Sequence, residues 1–227
     1  MATTKVTYKL YSTMYMVKKA LKEVEASCTI VSLDLETRSM YTKAQRELAK
    51  IMIGTDNLSI QKQNEYSRII HSSGLSHPSM INVTHVILGL SDDHSIVFVI
   101  EDDRIERYVF NWLVYSNMRF IVHNASFDLK IIHYRTGRFP KDYEDTQQLA
   151  KSLINDCNNY HSRTGLKLLV GSHYPPAWSI KEETDFEVKN LKNEKFIEYA
   201  ATDGAATLKL WSILQDTINE GDEDDVN

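Results

Sequence analysis

Arg119-Phe120-Ile121-Val122-His123-Asn124-Ala125-Ser126-Phe127-Asp128 is the stretch on which the fold turns. Arg119 to His123 reads as a short apolar strand, and Ala125 to Tyr134 as the helix that follows at once. Asn124 between them is a good helix N-cap, and Asp128 in the first turn favours the helix dipole. Asn124 and Asp128, four apart, also occupy neighbouring positions just past a strand's C-terminal end, where sites gather in open α/β sheets.

Two further acidic motifs lie outward from this one. Upstream, the apolar run Cys28-Thr29-Ile30-Val31-Ser32-Leu33 closes on Asp34-Leu35-Glu36. The pattern predicts a buried strand over Cys28 to Leu35, and residues two apart on a strand share a face, so Asp34 and Glu36 can grip one cation together. Downstream, Tyr199-Ala200-Ala201-Thr202-Asp203 lies in a helical pattern from Asn190 to Ile218, which puts phenol and carboxylate on one helix face. The small residues between them, and Gly204-Ala205-Ala206 after, let this helix pack closely on its neighbour. Each motif alone has a plainer structural reading: a strand end emerging into solvent, an N-cap, a core tyrosine beside an exposed acid. Together, carboxylates at strand ends and helix faces are what a hard cation needs if it must also hold phosphate oxygens.

The remaining chain fits around these motifs. A helix is expected over Thr13 to Ala26, and strands over Asn82 to Leu90 and Ser95 to Glu101 flank the turn Ser91-Asp92-Asp93-His94. A helix over Arg104 to Asn117 precedes the central strand. An extended piece then reaches Asp145-Thr146 and a helix runs through Ile154. A brief helix over Gly165 to Val170 is followed by a break at Tyr174-Pro175-Pro176. Residues 38–81 are an insert: a helix over Lys43 to Ile53, then a polar stretch expected to face solvent or a partner. Residues 1–219 are expected to form one domain.

The chain has 227 residues, 42% of them hydrophobic, enough to bury a full core. Its net charge of −5 has a local origin, because Glu220, Asp222, Glu223, Asp224 and Asp225 all fall in the last eight residues. Without them the 26 basic residues are balanced, and residues 220–227 are expected to be a disordered acidic tail. A neutral body argues against a long electrostatic footprint on duplex DNA and suits a grip on a few terminal nucleotides. Cys28 and Cys157 match no zinc or disulfide pattern, His71 and His77 lack companions at metal spacing, and no Gly-x-x-x-x-Gly-Lys loop occurs. The seven methionines are scattered as core filling. No apolar run approaches the ~18 residues of a membrane helix, and no signal peptide is expected. The expected setting is a reducing cytoplasm, in a bacterial or virus-infected cell.

The order Asp-x-Glu, Asn-x-x-x-Asp, Tyr-x-x-x-Asp resembles the DEDDy-type 3′–5′ exonucleases over nearly all of residues 5–218, and most closely the proofreading module of family-A DNA polymerases. His123 to Asp128 matches that module's second motif, while Tyr199 to Asp203 fits RNase D-type enzymes equally. Asp145-Thr146 before a helix is a further likeness. The chain departs from the pattern in the ~45 residues between its first motif and second strand, and in the absence of a polymerase body.

The resemblance implies an α/β, ribonuclease H-like fold: a mixed five-stranded sheet with flanking helices. It implies two divalent ions, Mg²⁺ or Mn²⁺, with Asp34 bridging both, Glu36 and Asp203 completing one site and Asp128 serving the other. Tyr199 would orient the nucleophile. Met40 aligns with an apolar wedge against the terminal base, and Asn124 and Phe127 are further substrate-contact candidates, Phe127 as a stacking surface. The implied activity is release of nucleoside monophosphates from DNA 3′ ends, preferring single strands, with a separate DNA polymerase as candidate partner and no membrane. Two alternatives stay open: an RNase D-like RNA 3′-exonuclease, and a non-catalytic binding module with vestigial acids. The complete acid set favours an enzyme.

Overall fold

A mixed sheet forms the middle layer, with helices on both faces. The computed structural model describes residues 5–41, 43–54, 58–70, 77–153, 164–173 and 190–224. Its strands are β1 (Thr7–Tyr11), β2 (Ile30–Ser32), β3 (Asp34–Ser39), β4 (Ile81–Gly89), β5 (His94–Val99), β6 (Arg119–Val122) and β7 (Asp142–Asp145). Its helices are α1 (Met14–Ser27), α2 (Lys43–Ile53), α3 (Ile60–Ile70), α4 (Asp103–Tyr115), α5 (Ala125–Thr136), α6 (Thr146–Leu153), α7 (Leu166–His173) and α8 (Glu194–Asp224).

The ladders run β1-β5-β4-β3 and β2-β6-β7. Strands β4 and β5 are the expected antiparallel hairpin, β3 pairs antiparallel with β4, and β2, β6 and β7 are parallel neighbours. The segment read as one strand from Cys28 to Leu35 is broken at Leu33, whose N–H donates to the carbonyl of Ile121 at 2.8 Å. Asp34 therefore opens a strand rather than closing one. Strand β1, parallel to β5, extends the sheet beyond the five strands expected. Its TYKLY sequence is half exposed and alternates weakly, which hid it.

Alternation along β4 and β5 divides the core. Val86, Leu88, Ile96 and Phe98 face α1, α4 and α5, whereas Ile87 and Val97 face Ile197, Ala200 and Ala201 of α8. Helix α1 starts where Thr13 caps Met16, and α4 where Asp102 accepts from the N–H groups of Arg104 and Ile105.

Within the 38–81 insert, α2 lies where expected and packs on α3. Helix α3 was not anticipated, because Ile60-Gln-Lys-Gln-Asn-Glu-Tyr-Ser-Arg-Ile-Ile has no sustained apolar stripe, and none of its residues is buried. Helix α8 runs on to Asp224, so the backbone is helical inside the acidic stretch expected to be disordered from Glu220. The Tyr174-Pro175-Pro176 break, His71 and Cys157 lie outside the described residues. Among the described residues no helix is long and apolar enough to cross a membrane.

Helix α8 sits unusually close to the sheet. A Cβ on Gly204 would lie 2.7 Å from Cγ2 of Ile87, and one on Gly89 would lie 2.6 Å from the carbonyl oxygen of Gly204 and collide with Oγ of Ser32. The hydroxyl of Ser32 donates to the Gly204 carbonyl at 2.6 Å and accepts from the Gly89 N–H at 2.9 Å; Ser95 donates to the Ala201 carbonyl at 2.7 Å. Gly89→Ala should therefore force backbone apart and cost upwards of ~3 kcal/mol, read as a lower urea midpoint. An unchanged midpoint would show that the helix can lift without loss.

Candidate active site

Three elements deliver the acids to one place. Asp34 and Glu36 leave the same face of β3, while buried Leu35 between them points into the core. The ladder to β4 slips between Glu36 and Thr37, a bulge that bends the strand beside the acids. Asp128, in the first turn of α5, is almost wholly buried, and its Oδ1 accepts from the Leu35 N–H at 3.2 Å. The second motif is thus bonded to the backbone of the first. Tyr199 and Asp203 come from α8.

These groups line one open cleft of about 660 Å³, with Phe127 and Lys167 among its other walls. That volume lies within the range of small-ligand pockets and accommodates a terminal nucleotide. Asn124 and Phe127 line it as the sequence led one to expect. Met40 does not: it borders a separate cavity with Asn82, Glu106, Arg107 and Arg135. The chain leaves β3 at Ser39, and the Met40 N–H is held by the Met80 carbonyl at 2.9 Å, which turns the side chain away from the acids.

Asn124 stands at the N-cap position of α5 but does not cap with its side chain. Its backbone is left-handed, φ 63° and ψ 55°, and its Oδ1 accepts from the Ser126 hydroxyl at 2.9 Å. Asp145 does the capping from the next strand. Its carboxylate accepts from the N–H groups of Asn124 and Ala125, both at 3.0 Å, and from that of Gln147 at 2.9 Å. A residue in this backbone region is strained unless its surroundings hold it there, and Asp145 supplies that hold.

Electrostatics mark the cleft. Burial, then the Asp203 carboxylate, push the Asp34 carboxyl up to about 7 although it still opens to the cleft. Burial, then Asp34, hold Asp128 well above the usual carboxylate range. Tyr199 is raised by burial and by the Asp203 charge, so the phenol stays protonated. It hydrogen-bonds to Asp203 and accepts from Lys167 Nζ at 2.9 Å, and the ammonium also lies 4.5 Å from the ring centroid. Lys167 was missed by sequence reading, since Gly165-Leu166-Lys167 shows only the start of a short helix. His123, depressed in pKa by burial, bonds Thr146 through Nδ1 and faces the backbone of Thr164.

Four carboxylates on one wall are the donor set a hard divalent cation takes, and the raised pKa values of Asp34 and Asp128 record burial first and then like-charge repulsion, which such a cation relieves. Among the described residues no three His, Cys, Asp or Glu side chains already stand as a closed ligand cluster. The donors fit a divalent cation in kind, and binding would draw them together.

The family model for the 3′–5′ exonuclease, the type carried by family-A DNA polymerases, matches residues 12–219. The chain belongs to this family. It is a 3′–5′ exonuclease domain, of a family and fold that use divalent metals. No curated protein matches the chain. Among solved structures, Escherichia coli RNase D aligns with a TM-score of 0.55 at 16% identity, over 92% of this chain and 44% of that one. Brucella melitensis NrnC with bound Mg²⁺ aligns with a TM-score of 0.56 at 17% identity, over 96% and 83%. The catalytic core of RRP6 from Trypanosoma brucei (mutant C496S) aligns with a TM-score of 0.61 at 11% identity, over 98% and 50%. The chain therefore spans under half of the RNase D chain but most of NrnC, and at these identities the likeness is one of fold.

The clustered acids set a pH dependence. A folded-state carboxyl at about 7, against 3.8 for the ordinary group, means that the folded exonuclease binds more protons than the unfolded chain between those values. Stability without metal must then fall as pH rises through that window and level off above it. In EDTA, Tm should drop by several degrees from about pH 5 to about pH 8; Mg²⁺ should restore it at the upper end, and Asp34→Asn should flatten the profile. A Tm that climbs with pH in EDTA would contradict the crowding described here.

Proposed function

We propose that this exonuclease removes nucleoside monophosphates one at a time from the 3′ end of single-stranded DNA, with Asp34, Glu36, Asp128 and Asp203 holding two Mg²⁺ or Mn²⁺ ions. The observation that carries this reading is the convergence of three separately encoded motifs on one cleft, tied by the bond from Leu35 to Asp128. Bound cations supply neutralisation of the phosphate and of the departing oxygen.

The chain's own groups supply position. Tyr199, donating to Asp203 and accepting from Lys167, is a protonated phenol fixed at both ends, suited to orienting a water rather than to taking its proton. That water forms the new bond to phosphorus, the 3′ oxygen of the penultimate nucleotide leaves and is protonated, and a 5′-monophosphate is freed. Phe127 at the cleft wall offers a base a stacking face of no sequence preference. Such an activity would trim mispaired 3′ ends left by a separate polymerase.

RNA is the second reading. The family match supports DNA, yet the solved structures of this fold include an exoribonuclease, E. coli RNase D, and NrnC bound to pGG. The 2′ position of the terminal sugar decides between them.

Matched 5′-labelled DNA and RNA strands incubated with Mg²⁺ should shorten from the 3′ end, DNA faster, and EDTA should stop both. Asp34→Ala or Asp203→Ala should cut the rate by ~10³-fold or more, about 4 kcal/mol of barrier, with native circular dichroism. Tyr199→Phe should lower kcat while leaving KM nearly unchanged. Full activity in purified Asp203→Ala would falsify the assignment.

A further inference from the structure

Phe139 and Tyr143, each about half exposed, form an aromatic patch on the surface, with half-exposed Tyr115 under Arg138 nearby. These residues fall in the stretch 115–143. The same stretch carries Arg119, Lys130, Arg135, Arg138 and Lys141; Arg119 pairs with Asp142 at 2.9 Å and Arg135 with Glu106 at 3.1 Å, which leaves Lys130, Arg138 and Lys141 as the excess. This local excess of positive charge is hidden in the balanced composition of the body.

Part of the patch is a formed groove of about 440 Å³ between α5 and edge strand β7, lined by Lys130, His133, Phe139 and Tyr143. The imidazole of His133 stacks on Phe139 with centroids 4.4 Å apart and planes 20° apart, which holds the phenyl ring in place. Alternation on β7 aims Tyr143 and Asp145 into the groove, while Glu144 on the opposite face accepts from Trp211 and Gln215 of α8. The Asp145 carboxylate in the wall is already committed to three backbone N–H groups. Among the described residues no acid pairs with Lys130, Arg138 or Lys141: Arg138 lies over the Tyr115 ring at 5.3 Å, and Lys141 donates to Asn117 at 2.9 Å.

The groove flanks the cleft along the same helix. Phe127 and Asp128 face the cleft, whereas Ser126, Leu129, Lys130 and His133 face the groove. From Phe127 to His133 is about 9 Å along the helix axis, a step of the order of a nucleotide or two. We propose that this groove is a second nucleic-acid contact, which holds the single strand upstream of the 3′-terminal nucleotides. Bases stack on Phe139 and Tyr143, and phosphates meet Lys130, with Arg138 and Lys141 on the flank. Aromatic faces interleaved with unpaired cations are the chemistry of sequence-tolerant single-strand binding, in DNA or RNA alike. The assignment rests on the cleft holding a 3′ end, and it divides labour: the acids process the end, and the groove retains the strand.

The test separates strand binding from cleavage. Labelled single strands of about 12 nucleotides, DNA and RNA, are titrated in EDTA and low salt by fluorescence anisotropy against wild type, Phe139→Ala/Tyr143→Ala, Lys130→Glu and Phe139→Trp. The double variant should bind about tenfold more weakly. Lys130→Glu should weaken binding and flatten its salt dependence, and Phe139→Trp should retain it. Hydrolysis of dinucleotides in Mg²⁺ should be unchanged in all variants, because their single upstream nucleotide stays at the cleft and does not span the ~9 Å of helix to the groove. Unchanged affinity of both the double variant and Lys130→Glu for the long strands overturns the proposal, as does an equal loss on the short ones or no long-strand binding by wild type. Wild-type protein that binds long strands through the groove but never shortens them would instead overturn the exonuclease reading and leave the groove standing. The DNA and RNA arms tell which strand it prefers.

Discussion

Helix α8 can bring Tyr199 and Asp203 to the cleft only because neither Gly89 of the sheet nor Gly204 of the helix places a side chain between them. Carbonyls inside a helix are normally satisfied within it, yet those of Ala201 and Gly204 also accept from Ser95 and Ser32. The Ser32 hydroxyl accepts from Gly89 in turn, so strand, helix and hairpin end meet at one fully buried oxygen. Polar contacts in such surroundings are costly to break and restrictive in geometry. They set the depth and rotation of α8 at the residues adjoining Asp203. Ala200, Ala201 and Gly204 are explained by this contact: a larger side chain there would raise the helix and carry the carboxylate away from Asp34.

A second restraint acts from the other side. Asp128 is buried with little to neutralise its ionised form, an arrangement that costs stability. Its bond to the Leu35 N–H, the bulge after Glu36 and the grip of Asp145 on the left-handed Asn124 hold α5 against β3 in one register. Strain and like-charge repulsion are thus concentrated where a cation would relieve them, and the apolar core formed by α1, α4 and α5 on the sheet stabilises the rest.

Much of this was legible in the sequence, for physical reasons that differ by element. The antiparallel hairpin, α4, β6 and α5 carry strong apolar patterning with turn residues at their ends, and the three acidic motifs lie on elements that periodicity locates within a few residues. What could not be read is tertiary. The break at Leu33 depends on which neighbour each half of the segment pairs with, a choice that local composition does not record. Asn124 has the preference of a capping residue, but a carboxylate 21 positions later takes that task, and the side chain turns instead to Ser126. Met40 sits at the right distance from Glu36 for a wedge, but its direction depends on pairing with Met80. Lys167 gains its meaning only from a tyrosine 32 residues away.

Net charge misled in the same way. A chain of −5 with a balanced body looks indifferent to polyanions, whereas its charges are sorted by place. Acids crowd the cleft, where they repel phosphate until cations intervene, while side-chain cations that no acid among the described residues pairs lie along the outer face of α5 and the turn into β7. An exonuclease with carboxylates alone would meet its substrate through repulsion. Screening weakens forces between exposed charges beyond roughly 10 Å at ordinary ionic strength, so attraction must come from groups beside the cleft, not from the molecule's total. Lys130 meets that requirement, since it follows Asp128 by two residues and so emerges on another face of the same helix.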